Sequence, residues 1–328
     1  MKEEINILFC CDTNYVMPLA VCLTSIFENN KAYKVQIFIL HSKITKNQEG
    51  ILLQLAKQYD KKINLTEVDS NYFKTAPTLR WSKEAYYRLL ITELLPRSLS
   101  RVLYLDCDTI VNQPLQELYF QDLGEFFITA LKTEVPHSEF GPRLGLKEFG
   151  NYYQSGVILF DLDKTREILN YEKALEVIDG LGNKITTVDQ DVINFIFYKK
   201  IKDLDIKFNN DEITNYNRSN FNRLFNKIDN GVFKNTVIFH YATGKPWNNI
   251  FSGSCENIWY TYLKLSPYRH LYSTKYSSLK YKIFRTNLFK IIFYEYVHLT
   301  PIINGLAKAL FTQRIYVKLK KYYRKNIK

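Results

Sequence analysis

Cysteine is scarce in this sequence, and its five copies suit neither a disulfide framework nor a zinc site. The number is odd, and no two cysteines have the CxxC spacing of a zinc knuckle. Long apolar runs are absent too, since no stretch reaches the roughly 18 uncharged residues of a membrane span. The N-terminal apolar run is too short for a signal peptide. These absences predict a globular protein of the cytoplasm.

Glycine is sparse, and no GxGxxG motif follows the first apolar run, so the fingerprint of a dinucleotide-binding site is missing. The 328 residues are enough to bury one sizeable core and to carry a smaller appendage. The 46% hydrophobic content is ordinary for a globular protein.

Acidic residues are nearly absent from the C-terminal end. Residues 269–328 contain 14 Lys or Arg and one acid, so they hold the whole excess of the +12 net charge. This shift predicts a main domain over residues 1–268 and a basic, aromatic, helical extension over 269–328. Such a segment is typical of attachment to an anionic membrane surface. The alternatives are a helical cap with solvated charges and a nucleic-acid-binding tail.

Apolar strands alternate with amphipathic helices over the first hundred residues, which predicts an α/β fold with a largely parallel sheet. In such sheets, ligands bind beyond the carboxyl ends of the strands. The predicted strands are 5–11, 35–40, 63–68 and the apolar run beginning at Arg101, and the predicted helices cover 19–27, 45–59 and 82–96. Further along, the pattern predicts a covering loop at 132–149, strands at 126–131, 152–161 and 236–239, and helices at 164–178 and 187–198.

Two aspartates stand directly after a predicted buried strand, in the stretch RVLYLDCDTIV at 101–111. On an extended chain, Asp106 and Asp108 would point to the same side. Two carboxylates held that close repel each other, and a divalent cation between them keeps both ionised. Mg²⁺ and Mn²⁺ prefer carboxylate oxygen. The stretch therefore indicates a metal site, with a solvated turn as the alternative.

Four polar clusters follow apolar segments in this way. They are Asp12 with Asn14, Asp106 with Asp108, Asp189 with Gln190 and Asp191, and His240 with Lys245. Each has a structural alternative: acids in the first turn of a helix favour its dipole, and a single His is often a hydrogen-bonded structural residue. Together they contain what a metal-bound diphosphate needs, namely carboxylates, an imidazole and an ammonium group.

Six motifs occur in the order seen in one known family. They are FCCDTNY at 9–15, AYYR at 85–88, LYLDCDT at 103–109, YYQSGVILF at 152–160, VDQDVIN at 188–194 and HYATGKPW at 240–247. Over roughly residues 4 to 265 the chain resembles the family 8 retaining glycosyltransferases of the GT-A fold, which use UDP-sugars. The resemblance implies a Rossmann-like nucleotide-diphospho-sugar transferase fold.

The resemblance also implies residue roles. Mn²⁺, or alternatively Mg²⁺, would be bound by Asp106, Asp108 and His240. The nucleotide would be held by Cys10, Asp12, Asn14, Tyr15, Asp106, Cys107, Gly244 and Lys245, with Tyr15 stacking on uracil. The donor sugar would contact Arg88, Gln154, Ser155, Gly156, Asp189 and Gln190. Gln190 stands where a carboxylate nucleophile would be expected in a double displacement, which favours a front-face mechanism, with Asp189 as the rival nucleophile.

The sequence departs from the family pattern at several points that concern the sugar. Trp81 stands near a His of several relatives, Gln154 replaces the usual Asn, and His240 and Lys245 are one residue closer together. The donor-binding acid that the family pattern places within residues 130–135 is not evident, with Glu134 and Lys132 as candidates. These departures leave the identity of the sugar open.

The resemblance implies a retaining hexosyltransferase that moves galactose or glucose from a UDP-sugar to a lipid-linked or protein-linked glycan. Its expected location is the cytoplasm, with peripheral contact to the inner face of the plasma membrane. Two other functions are compatible with single features. The DCDTI stretch is similar to the nucleophile motif of haloacid-dehalogenase phosphatases, in which Asp106 would attack phosphate, and the basic tail could bind nucleic acid.

Overall fold

The computed structural model describes residues 3–148, 150–211, 232–242, 245–247 and 255–273. The chain forms two units, Met1–Tyr272 and Ser273–Lys328, and the fold below is that of the first. Gly244 and nearly all of the predicted extension lie outside the described residues, so the boundary at 268 and the tail's helical character stay predictions.

Strands and helices alternate through the described ranges. The strands are β1 (Glu4–Cys11), β2 (Lys34–His41), β3 (Lys62–Glu67), β4 (Arg101–Leu105), β5 (Thr109–Val111), β6 (Ile128–Lys132), β7 (Tyr153–Asp161), β8 (Ile201–Asp203) and β9 (Ile238–His240). The α-helices are α1 (Val16–Asn29), α2 (Lys46–Gln58), α3 (Ile91–Leu94), α4 (Gln116–Tyr119), α5 (His137–Leu144), α6 (Leu162–Ile168), α7 (Tyr171–Leu181), α8 (Asp189–Ile196), α9 (Val232–Asn235) and α10 (Glu256–Leu265). The 3₁₀ turns are Lys83–Leu90, Gly182–Lys184 and Ile206–Phe208.

Seven strands form one sheet in the order β3-β2-β1-β4-β7-β6-β8. The pairings are parallel except those of β7, which runs antiparallel to both β4 and β6. The predicted α/β fold with a mostly parallel sheet is therefore confirmed. Because β7 is reversed, its amino end lies at the edge where β1 and β4 have their carboxyl ends. This reversal brings residues 154–156 to the edge where ligands bind.

The core lies on both faces of the sheet. Alternate side chains of a strand point to opposite faces, and in β1 both Ile7 and Leu8 are fully buried, in different apolar clusters. Burial of such a side chain contributes about 1.5–3 kcal/mol. α1 and α2 supply apolar side chains to one cluster, and α7, α8 and the 3₁₀ turn Lys83–Leu90 supply them to the other. Packing on both faces holds β1 and β4 in place, so the residues that directly follow these two strands have fixed positions.

The predicted helix ends have mixed outcomes. Thr45 caps α2 as predicted, and Gln48 completes a capping box. The prediction for 82–96 was wrong in kind: Lys83–Leu90 is a 3₁₀ turn followed by the short α3, and the Ser82 side chain makes no capping hydrogen bond.

Three other predicted elements need correction. The loop predicted at 132–149 contains α5, which ends at Gly145 in the left-handed conformation. The helix predicted at 164–178 is two helices, because Asn170 interrupts it and caps α7. The strand predicted at 236–239 is β9, which includes His240. Within the described part of the chain, no helix is long and apolar enough to cross a bilayer.

Candidate active site

A cleft of about 670 Å³ opens at the carboxyl edge of the sheet. Most of the predicted site residues line it, namely Cys10, Asp12, Tyr15, Arg88, Asp106, Cys107, Asp108, Gln154, Ser155, Gly156, Asp189, Gln190, His240 and Lys245. Asn14 lies beside the cleft, where it is exposed and hydrogen bonds to Asp12. The structure thus brings together motifs that are up to 235 residues apart in the sequence.

The two aspartates converge through a turn rather than through the pleat of a strand. β4 ends at Leu105, and the backbone N–H and hydroxyl of Thr109 both donate to the carbonyl of Asp106, at 3.2 and 2.9 Å. β5 then pairs with β9, which places Thr109 opposite His240. As a result, one ligand atom from each of Asp106, Asp108 and His240 lies within 4.8 Å of the others.

Asp106 is held by two donors on one oxygen. Its Oδ1 accepts from the Tyr104 hydroxyl at 2.6 Å and from Arg88 Nη2 at 3.0 Å. Its Oδ2 faces His240 Nε2 at 3.6 Å. The Arg88 guanidinium also lies over the Tyr104 ring, 4.0 Å from its centroid. One oxygen of Asp106 is therefore fixed by the protein, and the other points toward the imidazole.

Asp108 forms a close ion pair with Lys245 through Oδ2. Burial raises the pKa of Asp108, but the nearby Lys245 and His240 lower it more, so its pKa lies below the ordinary value. Lys245 Nζ also donates to the carbonyl of Tyr241 at 2.8 Å. Arg88 and Lys245 thus each form an ion pair with one of the two aspartates, so cationic side chains as well as a metal can offset the repulsion between the carboxylates. Lys245 does reach the cluster despite its shorter spacing from His240.

The cluster nevertheless fits a divalent ion. Asp108 Oδ1 is buried and faces the imidazole of His240. It lies 3.3 Å from His240 Nε2. Two carboxylates and one imidazole are a donor set suited to Mn²⁺, with Mg²⁺ favouring the oxygens. Burial lowers the pKa of His240, but Asp108 and Asp106 outweigh burial and raise its pKa.

Gly156 makes room for the imidazole of His240. A Cβ at this position would overlap the His240 ring and would lie 2.9 Å from Asp106 Oδ2. The sequence suggested that this glycine allows close approach of a ligand. In the structure, the group that approaches it is the imidazole of His240.

Arg88 joins the metal cluster to the predicted sugar site. The guanidinium is 5% exposed and donates from Nη1 to the Ser155 carbonyl at 2.6 Å. Its Nε lies 3.3 Å from Asp189 Oδ2. Burial raises the pKa of Asp189 to about 6, although Arg88 lowers it. The Gln190 amide oxygen accepts from the Ser155 backbone N–H at 3.2 Å.

The acids at the start of α8 have different roles. Asp191 faces away from the cleft, is fully buried, and accepts two hydrogen bonds from Arg143 at 2.7 and 2.9 Å. It also accepts from the backbone N–H groups of Thr186 and Thr187. Val188, between this loop and α8, has a φ of 41°. The structural alternative is therefore correct for Asp191, while Asp189 and Gln190 face the cleft.

The outer part of the cleft is aromatic. Tyr15 lies 6.1 Å from the Trp247 ring, edge to face. Asp12 Oδ1 accepts from the backbone N–H groups of Asn14 and Tyr15, at 2.8 and 2.9 Å, and so orders the loop that carries Tyr15. Trp81 lines the cleft, with Arg80 4.2 Å from its ring centroid.

Sequence reasoning missed several residues of the site. Tyr104, which holds Asp106, was read only as part of a buried strand. Thr133 lines the cleft, whereas the two candidates beside it, Lys132 and Glu134, are exposed and do not. Asn209 and Asp211 contact the side chain of Gln154. No motif pointed to them, although three consecutive polar residues at 209–211 after an apolar turn were a visible signal.

Comparison with known proteins identifies the class of this architecture and site. The fold matches that of the galactosyltransferase LgtC, crystallised with donor and acceptor sugar analogues, with a TM-score of 0.68 at 20% identity over 80% of this chain and 96% of that one. The fold is therefore that of a GT-A glycosyltransferase.

Sequence comparison gives the family. Residues 6–251 match Glycosyl transferase family 8. The chain is 29% identical to a lipopolysaccharide 1,2-glucosyltransferase of Escherichia coli, over 90% of this chain and 91% of that one. It is 28% identical to a lipopolysaccharide 1,3-galactosyltransferase of Salmonella typhimurium, over 75% and 74%. The chain belongs to glycosyl transferase family 8, and the phosphatase interpretation of Asp106 loses its support.

Proposed function

We propose that this protein is a metal-dependent, retaining hexosyltransferase that takes galactose or glucose from a UDP-sugar. The observation that carries the proposal is the cluster of Asp106, Asp108 and His240, in which the buried Asp108 Oδ1 faces the imidazole and Asp108 Oδ2 pairs with Lys245. Asp106, Asp108 and His240 would hold Mn²⁺ or Mg²⁺, and the ion, when bound, supplies positive charge that stabilises the departing diphosphate.

Lys245 has a second task in this proposal. Its ammonium group lies against Asp108 and two backbone carbonyls. A diphosphate in the cleft offers charged oxygens, which are stronger acceptors than the two carbonyls, and a metal ion held by Asp108 would replace the positive charge that Lys245 now gives that carboxylate. Lys245 would then turn from Asp108 to a phosphate oxygen and leave both oxygens of Asp108 available. Gly244, outside the described residues, is proposed to bind the diphosphate through its backbone, and Cys10, Asp12 and Tyr15 to bind the uridine.

Two residues compete for the role at the anomeric carbon. The Gln190 amide is a weak nucleophile, so its part would be to stabilise positive charge on the sugar by its carbonyl oxygen. Asp189 is a carboxylate, but its contact with Arg88 and its burial hold it back from attack. A front-face mechanism, in which a phosphate oxygen of the leaving group takes the acceptor proton, therefore has better support than a double displacement.

The acceptor we propose is a lipid-linked glycan of the lipopolysaccharide type. The support is that the relatives above are named as lipopolysaccharide glucosyl- and galactosyltransferases. Because both sugars occur among these relatives, the donor is proposed only as UDP-glucose or UDP-galactose.

The donor is tested by a screen for UDP release. Purified protein with Mn²⁺ is incubated with UDP-galactose, UDP-glucose and, for comparison, UDP-N-acetylglucosamine, because slow hydrolysis reports the sugar without an acceptor. Release from one of the first two, lost on chelation and restored by Mn²⁺, supports the proposal. Release from none of them, by a protein that binds Mn²⁺, contradicts it.

The basic extension is proposed to hold the enzyme at the cytoplasmic face of an anionic membrane, where a lipid-linked acceptor would be presented. The support is the charge pattern of residues 269–328. Flotation of the full chain on vesicles with and without anionic lipid tests this. Equal partitioning onto both, or strongly salt-dependent binding to RNA in preference to vesicles, would count against it.

A further inference from the structure

A chain of side-chain hydrogen bonds runs behind the metal cluster, on the side of His240 that faces away from the aspartates. Gln154 Nε2 donates to Asp211 Oδ2 at 3.1 Å, and Asn209 Nδ2 donates to Gln154 Oε1 at 3.1 Å. Asn209 Oδ1 lies 2.8 Å from His240 Nδ1. Three segments meet here: β7 carries Gln154, β9 carries His240, and Asn209 follows the turn Ile206–Phe208.

The direction of this chain is set at its Asp211 end. A carboxylate only accepts hydrogen bonds, so Gln154 must present its NH₂ group to Asp211 and its oxygen to Asn209. Asn209 must then present its own NH₂ to Gln154 and its oxygen to His240. The last acceptor in the series faces Nδ1, so Nδ1 must carry a proton. The orientation of each amide is thus fixed by the orientation of its neighbour on the Asp211 side.

The consequence falls on the other ring nitrogen. With the proton on Nδ1, the ring nitrogen that faces Asp106 and Asp108 is Nε2. Without metal these carboxylates favour a second proton on Nε2, and loss of that proton leaves the neutral tautomer whose Nε2 lone pair a metal ligand needs. We propose that Asp211, Gln154 and Asn209 form a relay that fixes His240 as the Nδ1-protonated tautomer, which makes Asn209 a positioning residue of the metal site. Asn209 is fully buried and His240 is 5% exposed, so water does not replace the relay.

The relay also gives Gln154 a role other than the one the family pattern implies. Its side chain spans Asp211 and Asn209. An Asn at this position has one methylene fewer and would not reach both partners in the same backbone position. The departure from the usual Asn is thus matched by a hydrogen-bond chain, half-buried at Gln154 and Asp211 and buried at Asn209, that needs the longer amide.

This proposal rests on the metal site proposed above, and Mn²⁺ binding without donor sugar tests it apart from catalysis. Asn209→Ala removes the acceptor from Nδ1, and the expected result is a loss of about ten- to hundredfold in Mn²⁺ affinity. Asn209→Asp keeps an oxygen toward Nδ1 and should retain at least the wild-type affinity. Asn210→Ala is the matched control, a buried neighbour whose amide bonds to Thr236 instead, and its affinity should stay within about twofold of wild type.

A second readout does not depend on metal. Nitrogen-15 NMR of the metal-free protein in alkaline solution distinguishes the two neutral tautomers among its five histidines. In wild type and Asn209→Asp, His240 should be protonated on Nδ1. In Asn209→Ala it should be a mixture of the Nδ1- and Nε2-protonated tautomers. If Asn209→Ala does not fold, Gln154→Met breaks the relay one step earlier and should give the same mixture. Nε2 protonation in wild type, or unchanged Mn²⁺ affinity in folded Asn209→Ala, would overturn the proposal. If wild type itself binds no Mn²⁺, the proposed function fails, while the tautomer result still decides the relay.

Discussion

Gly156 and His240 lie so close together that the glycine has no space for a side chain on the face of the imidazole. The contact joins β7 to β9, two strands from different sheets. It means that the position of His240, the histidine proposed to bind the metal, depends on the lack of a side chain at Gly156. The steric limit comes from the protein's own side chain, so it applies whether or not a sugar is present.

Gly156→Ala should therefore weaken metal binding. The added methyl would push the ring away from Asp106, since overpacking of a close contact typically costs about 1–3 kcal/mol. The expected result is roughly a tenfold or greater loss of Mn²⁺ affinity, measured by titration without donor. Gly180→Ala is the control, because a Cβ there meets nothing within 4 Å. Unchanged affinity in Gly156→Ala would show that the ring can move freely.

Asp189→Asn should stabilise the protein at neutral pH while slowing transfer. The ordinary pKa of 3.8 rises to about 6 in the folded protein, mainly through burial. The folded state therefore binds more protons between these values, and the stability contributed by Asp189 is fully present below 3.8 and is lost as pH rises through 6. The shift corresponds to about 3 kcal/mol.

The measurement is the difference in unfolding free energy between wild type and Asp189→Asn, in metal-free buffer at several pH values. Titrating groups that do not interact with Asp189 cancel in this difference. The stability advantage of the variant over wild type should be smallest near pH 3.8, increase up to about pH 6, and then stay constant. A difference that is flat with pH would mean that Arg88 fully compensates the buried charge.

Gln190→Ala should separate chemistry from nucleotide binding. The amide contacts Ser155 at the sugar end of the cleft, away from the loop of Tyr15. Transfer should slow by about a hundredfold, as on removal of a stabilising dipole, while the affinity for UDP stays within about twofold. UDP affinity is read by calorimetry and transfer by UDP release. If UDP binding is lost as well, Gln190 does not occupy the assigned place.

Asp191→Ala should be strongly destabilising. The carboxylate is fully buried and bound by Arg143 and by two backbone N–H groups. Removing one partner of such a pair costs about 3–5 kcal/mol. Asp163→Ala is a matched control, since Asp163 also pairs with an arginine but is 71% exposed, and its loss should change stability little. Equal stabilities of the two variants in urea unfolding would contradict this account.

Much of the fold was predictable because its first half follows local rules. The strand–helix alternation and the Thr45 cap depend on residues close in sequence, and both were confirmed. The break at Asn170 was missed although its cause is local, because the Asn170 side chain caps α7. The 3₁₀ turn after Ser82 was not predicted either. The reversed direction of β7 could not be read from its apolar pattern, since that pattern is the same for either direction.

The site was predictable as a set of motifs but not as a network. Asp106, Asp108 and His240 were grouped from the types of their side chains, and the family resemblance made them a specific ligand set; the structure brings their side chains together. The close pairing of Lys245 with Asp108 and the relay through Asn209 join side chains more than 30 residues apart. Such contacts leave no periodic trace in the sequence.

The most direct test of the central claim is metal-dependent UDP release by Asp106→Ala and Asp108→Ala. Each variant removes one carboxylate from the cluster while Lys245 and His240 stay in place. Release from UDP-galactose or UDP-glucose should require Mn²⁺ in the wild type and fall to background in both variants, with unfolding temperatures confirming that they fold. Metal-dependent release that persists in both variants would show that the ion lies elsewhere.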